Sequence, residues 1–283
     1  AYSIGLRQLG CAVVRVGASA PQMHFEMIDR LKPTAIVSVP SFLRLLADRA
    51  GEEGRDLSKS GVTRAVCIGE PLRAPDMTPN AAAADIMKRW GVRVFSTYGN
   101  TELQGSLCEC GAGRGGHAHP ELTLVEALDE AGRPVGAGEA GEITATTFGV
   151  RGLPLVRYRT GDVAAVYSEP CACGRVTQRI GPVVGRKHQK LKVKGATIYP
   201  STLQAVLDSC QGVESYVILA RSESSLSDAI EVVVHCPSDE DRTICRLRDA
   251  FRGRAKVVPG IRCAQKADIE ALQMPEGSRK RRF

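Results

Sequence analysis

The sequence is poor in rings and has no long apolar run. Six Phe, six Tyr and one Trp among 283 residues leave little aromatic surface for stacking nucleic-acid bases. No stretch approaches the ~18 uninterrupted apolar residues of a membrane helix, and no basic-then-apolar segment opens the chain. The expectation is a soluble cytoplasmic protein with no membrane partner. Ten cysteines are far fewer than the roughly 8–10% of a disulfide scaffold, and those in VCIG and VVHCP read as reduced core thiols. Twenty-nine Gly and fifteen Pro are too few for a fibrous chain, and the charges are too balanced for disorder.

What is present is a globular composition, 43% hydrophobic and 24% charged, long enough for one or two domains. Of the net charge of +7, +3 falls in the last eleven residues, where Arg279, Lys280, Arg281 and Arg282 stand against a single Glu276. Basicity of that kind is weak support for a polynucleotide partner, so no nucleic acid is expected. A zinc-stabilised nucleic-acid-binding domain stands as the remotest reading.

The first hundred residues alternate strand-like and helix-like segments, the pattern of an α/β sheet. Strands are expected at 11–16 (CAVVRV), 34–39, 64–69 and 92–97. Helices are expected at 22–31, with Met23, Met27, Ile28 and Leu31 inward, at 41–50, capped by Ser41 with Phe42, Leu45 and Leu46 inward, and at 79–90, stopped by Gly91. From about 122 the chain turns into strands separated by turns. After Lys187 a compact β/α unit begins, with LKVKG, a helix from Pro200 to Cys210, strands at 215–220 and 229–236, and a helix at 241–252. The expected fold is therefore α/β: a large domain over 1–187 with a β-rich region at about 105–182, then a small α+β domain over 188–283.

The strongest local signal is STYGNTE (96–102), directly after an expected strand. Turns at the carboxyl ends of strands in α/β sheets are where ligands sit. Tyr98 offers a ring face, Gly99 permits close backbone approach, and Thr101 and Glu102 supply a hydroxyl and a carboxylate suited to Mg²⁺ beside phosphates. IGEP (68–71) precedes it at another strand end, and LPLVRYRTGD (153–162) and GRKHQKLKVKG (185–195) follow.

In this order the four segments resemble the core motifs of the adenylate-forming superfamily, and within it the phenylacetate-CoA ligase branch, whose relatives also adenylate a deazaflavin. The resemblance implies an acid-CoA ligase: a carboxylic acid, aromatic in this branch, reacts with ATP, and the acyl group then passes to coenzyme A. It implies that Gly69, Glu70 and Pro71 line the adenine and ribose and that Tyr98 packs on adenine beside Gly99. It gives Thr101 the α-phosphate, Glu102 the metal, Asp162 the ribose hydroxyls and Arg186 the same nucleotide. It also makes the C-terminal domain mobile. Lys192 and Lys194 read equally as contacts to the phosphates of coenzyme A or as a solvated strand edge.

Cys108, Cys110, His117, His119, Cys171 and Cys173 lie in Gly-rich polar loops, where exposed thiols are a liability unless ligated. Four such ligands meet the tetrahedral demand of Zn²⁺. The branch's spacing of a cysteine, a Gly-x-His and a CxCG singles out Cys110, His117, Cys171 and Cys173, leaving Cys108 and His119 as spares. A closed site of four ligands is structural.

Two departures from the family stand out. Its glycine- and serine/threonine-rich phosphate loop should lie ahead of residue 1, and the start at AYSIGLRQLG, already helix-like, points to a truncated ligase. MPEGSRKRRF (274–283) places Ser278 where the family has its catalytic lysine, with Lys280 two residues away as the substitute. Lys187, His188 and Gln189 replace the acidic hinge. A degenerate, non-catalytic AMP- or CoA-binding protein is the runner-up reading.

Overall fold

The computed structural model describes residues 2–17, 21–193, 196–222 and 228–273. Two compact units emerge, Ala1–Thr160 with Ala164–Pro182, and Gly161–Val163 with Val183–Phe283.

The first unit opens with α1 (Tyr2–Gln8) and α2 (Pro21–Leu31), then alternates β1 (Ala35–Ser38), α3 (Pro40–Glu52), β2 (Arg64–Cys67), α4 (Ala81–Trp90) and β3 (Arg93–Tyr98). β1, β2 and β3 pair in parallel, with Ala35 opposite Arg64 and Arg64 opposite Arg93. Parallel strands need cover, and the helices supply it through a core of Phe25, Leu43, Leu46, Leu72, Ile86 and Trp90. Trp90 donates from Nε1 to the Leu43 carbonyl at 3.1 Å, which satisfies its one polar atom inside that core.

Several local expectations need correction. The run 11–16 forms no strand: Val14 is largely exposed, and the segment has no strand partner among the described residues to take up its backbone groups. On α2 the buried residues are His24, Phe25 and Ile28, while Met23 and Leu31 are 49% and 48% exposed, so the inward face is rotated from the one expected. On α3, Leu43 and Leu46 are buried and Leu45 faces out. Ser41 does not cap α3, because Pro40 occupies the first helical turn and Val39 the cap position without a side-chain bond. The cap comes from outside, as the Ser41 amide and hydroxyl donate to Glu70 Oε2 and Oε1 at 2.9 and 2.5 Å. A carboxylate at a helix N-terminus is favoured by the exposed amides there.

β3 leads into an antiparallel region. β4 (Leu107–Glu109), β5 (Gly116–His117), β6 (Thr123–Leu128), β7 (Ala140–Thr147), β8 (Tyr158–Tyr167) and β9 (Arg179–Ile180) extend the sheet in the order β3-β4-β5-β9-β8-β7-β6. Its core is Leu107, Val125, Ile143, Ala164 and Ile180.

In the second unit, β10 (Gly185–Arg186) pairs with Asp162 and Val163 of β8. β11 (Leu191–Val193) and β12 (Ala196–Ile198) form an antiparallel pair. α5 (Pro200–Ser209), β13 (Ser215–Ser222), β14 (Asp228–His235), α6 (Glu240–Ala250), β15 (Gly260–Cys263) and α7 (Lys266–Gln273) complete it. β14 lies between β13, antiparallel, and β15, parallel. Its alternate residues serve two cores: Ile230, Val232 and Val234 join Leu203, Leu207, Leu247 and Phe251, while Val233 joins Val217 and Ile269. β15 and α7 go beyond the expected elements, since GIRC and KADIEALQ are too short to show a period.

Asn80 caps α4 by accepting from the Ala83 amide at 2.9 Å, and its Nδ2 donates to the Pro71 carbonyl at 2.8 Å. Asn80→Ala is expected to cost about 1–2 kcal/mol, read as a lowered urea midpoint with unchanged slope.

Candidate functional site

Because β2 and β3 are parallel neighbours, the segments after them leave the sheet side by side. Thr97 Oγ1 ties the two together by donating to the Cys67 carbonyl at 3.1 Å. After β2 the chain turns at Gly69, whose φ of +79° suits glycine, into Glu70 and Pro71. After β3 comes Gly99, where an added Cβ would stand 2.7 Å from the Gly105 carbonyl oxygen. Glycine is required there by the returning chain of the same loop. Asn100 Oδ1 accepts from the Leu103 amide at 3.0 Å and the Thr101 carbonyl from the Gln104 amide at 3.2 Å. That turn leaves the Thr101 and Glu102 side chains exposed. Tyr98 is oriented by a relay: its hydroxyl donates to Thr160 Oγ1 at 3.3 Å, which donates to the Ile143 carbonyl at 2.8 Å.

In the second unit Asp162 and Arg186 sit opposite each other on β8 and β10, and Arg186 Nε donates to Asp162 Oδ1 at 3.0 Å. Asp162 is buried while Arg186 is exposed, so the carboxylate is held still by a partner that remains in water. Lys192 is exposed on β11, and its backbone amide donates to Asp228 Oδ2 at 2.7 Å. Lys194, Ser278 and Lys280 lie outside the described residues.

Cys110, His117, Cys171 and Cys173 come together, with one donor atom from each lying within 4.8 Å of all the others. Cys110 Sγ is 3.7 Å from Cys171 Sγ, and Cys173 Sγ is 3.5 Å from His117 Nε2. Zinc–sulfur bonds of about 2.3 Å place tetrahedral ligand atoms about 3.7 Å apart, so the four donors fit such an ion. Cys108 and His119 are not in this group: Cys108 contacts Ser106 Oγ, and His119 pairs with Glu121.

The electrostatics suit a cation. The Arg175 backbone amide, then its guanidinium, bring the Cys173 thiol down to about 7. Burial, followed by the charges of Arg175 and Arg179, lowers His117, which keeps its imidazole neutral. Its Nδ1 is 3.2 Å from Thr177 Oγ1, an arrangement that aims Nε2 at the cluster. Burial pushes the Cys110 thiol up instead.

Sequence reasoning missed Glu109, the residue between the two cysteines of CEC. Its side chain is 1% exposed and faces Arg73, which donates from Nε and Nη2 at 3.0 Å each, while the Ser96 amide donates to it at 3.0 Å. A charged residue between two expected ligands reads as solvated loop, and only the distant Arg73 explains it.

A profile of the AMP-binding enzyme family matches residues 4–150, just over half of the chain. The chain belongs to this family. A phenylacetate-coenzyme A ligase of Thermus thermophilus is 30% identical over 230 residues, covering 80% of this chain and 50% of that protein. Another, from Escherichia coli (strain K12), is 25% identical over 272 residues, covering 91% and 59%. The resemblance to the adenylate-forming superfamily and its phenylacetate-CoA ligase branch is thus borne out. The fold also matches a crystal structure of 2-hydroxyisobutyryl-CoA ligase in complex with R3-HIB-AMP, at a TM-score of 0.83 and 21% identity, over 92% of this chain and 57% of that one. The chain spans about half the length of the curated relatives it matches. Among the described residues no helix is long and apolar enough to cross a membrane.

In metal-depleted protein, Cys173 is expected to react with iodoacetamide at a rate rising through pH about 7 as the thiolate forms. Buried Cys67, pushed up to about 12, stays unmodified over the same range. Peptide mass spectrometry reads both.

Proposed function

We propose that the protein acts as, or forms part of, an ATP-dependent acid-CoA ligase acting on an aromatic carboxylic acid. The observation that carries this reading is the pairing of two motif loops, residues 69–71 and 98–102, at the ends of adjacent parallel strands in a chain of the AMP-binding family. The relatives named as phenylacetate-coenzyme A ligases support the substrate class.

In the first half-reaction a carboxylate oxygen attacks the α-phosphorus of ATP and the bond to the β-phosphate breaks, releasing pyrophosphate. In the second the coenzyme A thiolate attacks the acyl carbonyl and AMP leaves. Gly69, Glu70 and Pro71 would border the nucleoside, with Tyr98 against the base, its hydroxyl already engaged by Thr160. Thr101 would donate to the α-phosphate, and Glu102 would hold Mg²⁺, which supplies charge neutralisation for the phosphates when bound. Both are exposed and free to turn toward a ligand. Asp162 would accept from both ribose hydroxyls, a task suited to a buried carboxylate fixed by Arg186. Lys280 would offset charge developing at the α-phosphate, and Lys192 would meet the phosphates of coenzyme A. The preorganised residues thus orient the nucleotide, and the exposed ones follow the charge. Cys110, His117, Cys171 and Cys173 would hold a structural Zn²⁺ with no open position.

Incubation with ATP, Mg²⁺, coenzyme A and a panel of aromatic acids is expected to release pyrophosphate with at least one acid. Folded protein that binds AMP without turnover on any acid would instead identify an AMP-binding protein without ligase activity. Asp162→Asn is expected to weaken AMP binding about tenfold or more, the loss of a charge-assisted hydrogen bond, as measured by titration calorimetry. Metal analysis of protein purified under reducing conditions is expected to find one zinc per chain, lost in Cys110→Ser; no zinc in the unaltered protein defeats the metal assignment.

A further inference from the structure

We propose that the Arg73–Glu109 ion pair is a positioning device that couples occupancy of the Cys110, His117, Cys171 and Cys173 site to the order of the loop at 69–73 and of the end of β3 with the loop that follows it, 96–102. It rests on the metal reading above. The nucleotide enters only as the proposed occupant of those loops.

Glu109 is the residue before Cys110, so whatever fixes the Cys110 sulfur fixes the peptide that carries the buried carboxylate. On its other side that carboxylate binds three groups at once: Nε and Nη2 of Arg73, two residues beyond Pro71, and the Ser96 amide, two residues ahead of Tyr98. The loop after β2 and the end of β3 that carries the second loop are thus anchored to one buried charge. The segment after Cys110 is held to the same neighbours. Arg93 Nη2 donates to the Gly111 carbonyl at 3.2 Å, and a Cβ on Gly113 would stand 2.8 Å from Arg73 Nη2, so the loop packs directly on the guanidinium.

What holds this arrangement is not the sheet alone. β4 has three residues and β5 two, so their pairing with each other and with β3 and β9 rests on two residue pairs in each ladder. Cys110 directly follows β4 and His117 ends β5, so an ion bound to both clamps the hairpin at its register, with Cys171 and Cys173 closing the clamp from the far side of the sequence. Without the ion the hairpin frays and Glu109 loses its place. Arg73 is then left with an unpaired charge in a site from which water is largely excluded, and the loop that carries it opens.

Amide hydrogen exchange on the full chain, with zinc bound and after chelation, tests this without reference to activity. In the unaltered protein, zinc removal is expected to speed exchange about tenfold or more in peptides covering 69–73 and 96–98, with α4 (81–90) unchanged. Glu109→Gln alone strands a guanidinium and risks unfolding, so the informative variant is Arg73→Met with Glu109→Gln, which removes both charges and keeps an acceptor for Ser96. In that double variant both loops should exchange fast even with zinc bound, and chelation should change them less than twofold. No response in the unaltered zinc-loaded protein, or the same response in the double variant, overturns the coupling. A chain that takes up no zinc overturns the metal reading and the coupling with it, and is recognised by metal content. Failure to bind AMP leaves the exchange result intact and counts against the proposed function alone.

Discussion

A carboxylate removed from water costs several kcal/mol unless its lone pairs are met, and Glu109 sets the terms on which the first unit is assembled. It demands a fork of donors from Arg73, which fixes the chain leaving β2. It also takes the amide of Ser96, which pins β3 just before it ends. The parallel pairing of β2 and β3 would bring their ends near each other in any case. The buried charge adds a second tie where the two segments leave that ladder, beside the pairing of Thr97 and Tyr98 with β4 and the bridge between Arg73 and Pro79.

A metal–thiolate site in this unit would carry its own charge problem, and the surroundings answer it. Three thiolates and a neutral imidazole around a divalent ion leave one net negative charge. Arg175 Nη1 lies 3.6 Å from Cys173 Sγ, and Arg179, paired across the ladder from His117, is buried with bonds to the Arg114 and Glu169 carbonyls. The ring of Tyr167 lies under the Arg179 guanidinium at 5.8 Å. Two guanidinium groups thus lie by the cluster, Arg179 sharing its charge with the Glu169 carboxylate at 2.8 Å.

Where periodicity was strong the sequence was readable. The alanine-rich stretch and Gly91 marked α4 because propensity and stop agree, while its start at Ala81, two residues after the expected 79, is set by the Asn80 cap. The strand ends carrying Gly69 to Pro71 and Tyr98 to Glu102 were legible for the same reason: short β-branched runs followed directly by glycine. What stayed hidden was everything decided by distant partners. CAVVRV has the composition of a strand but no neighbour to pair with among the described residues, so composition misleads. Glu109 with Arg73, and Tyr98 with Thr160, are separated by 36 and 62 residues, and no local pattern connects them. The inward face of α2 turned on one residue of rotation, since His24 is buried edge-on against Phe42 and takes the place a methionine was expected to fill.

Glu70 has two claimants. Its carboxylate closes the N-terminus of α3 through both the amide and the hydroxyl of Ser41, and it stands in a loop that faces the region where a nucleoside is proposed to sit. A ligand hydroxyl that bonds to this carboxylate does not meet an idle acceptor; it competes with the first turn of a helix. Recognition at this loop would therefore be an exchange of partners, with the free energy of capping α3 setting how much affinity a ligand could draw from Glu70.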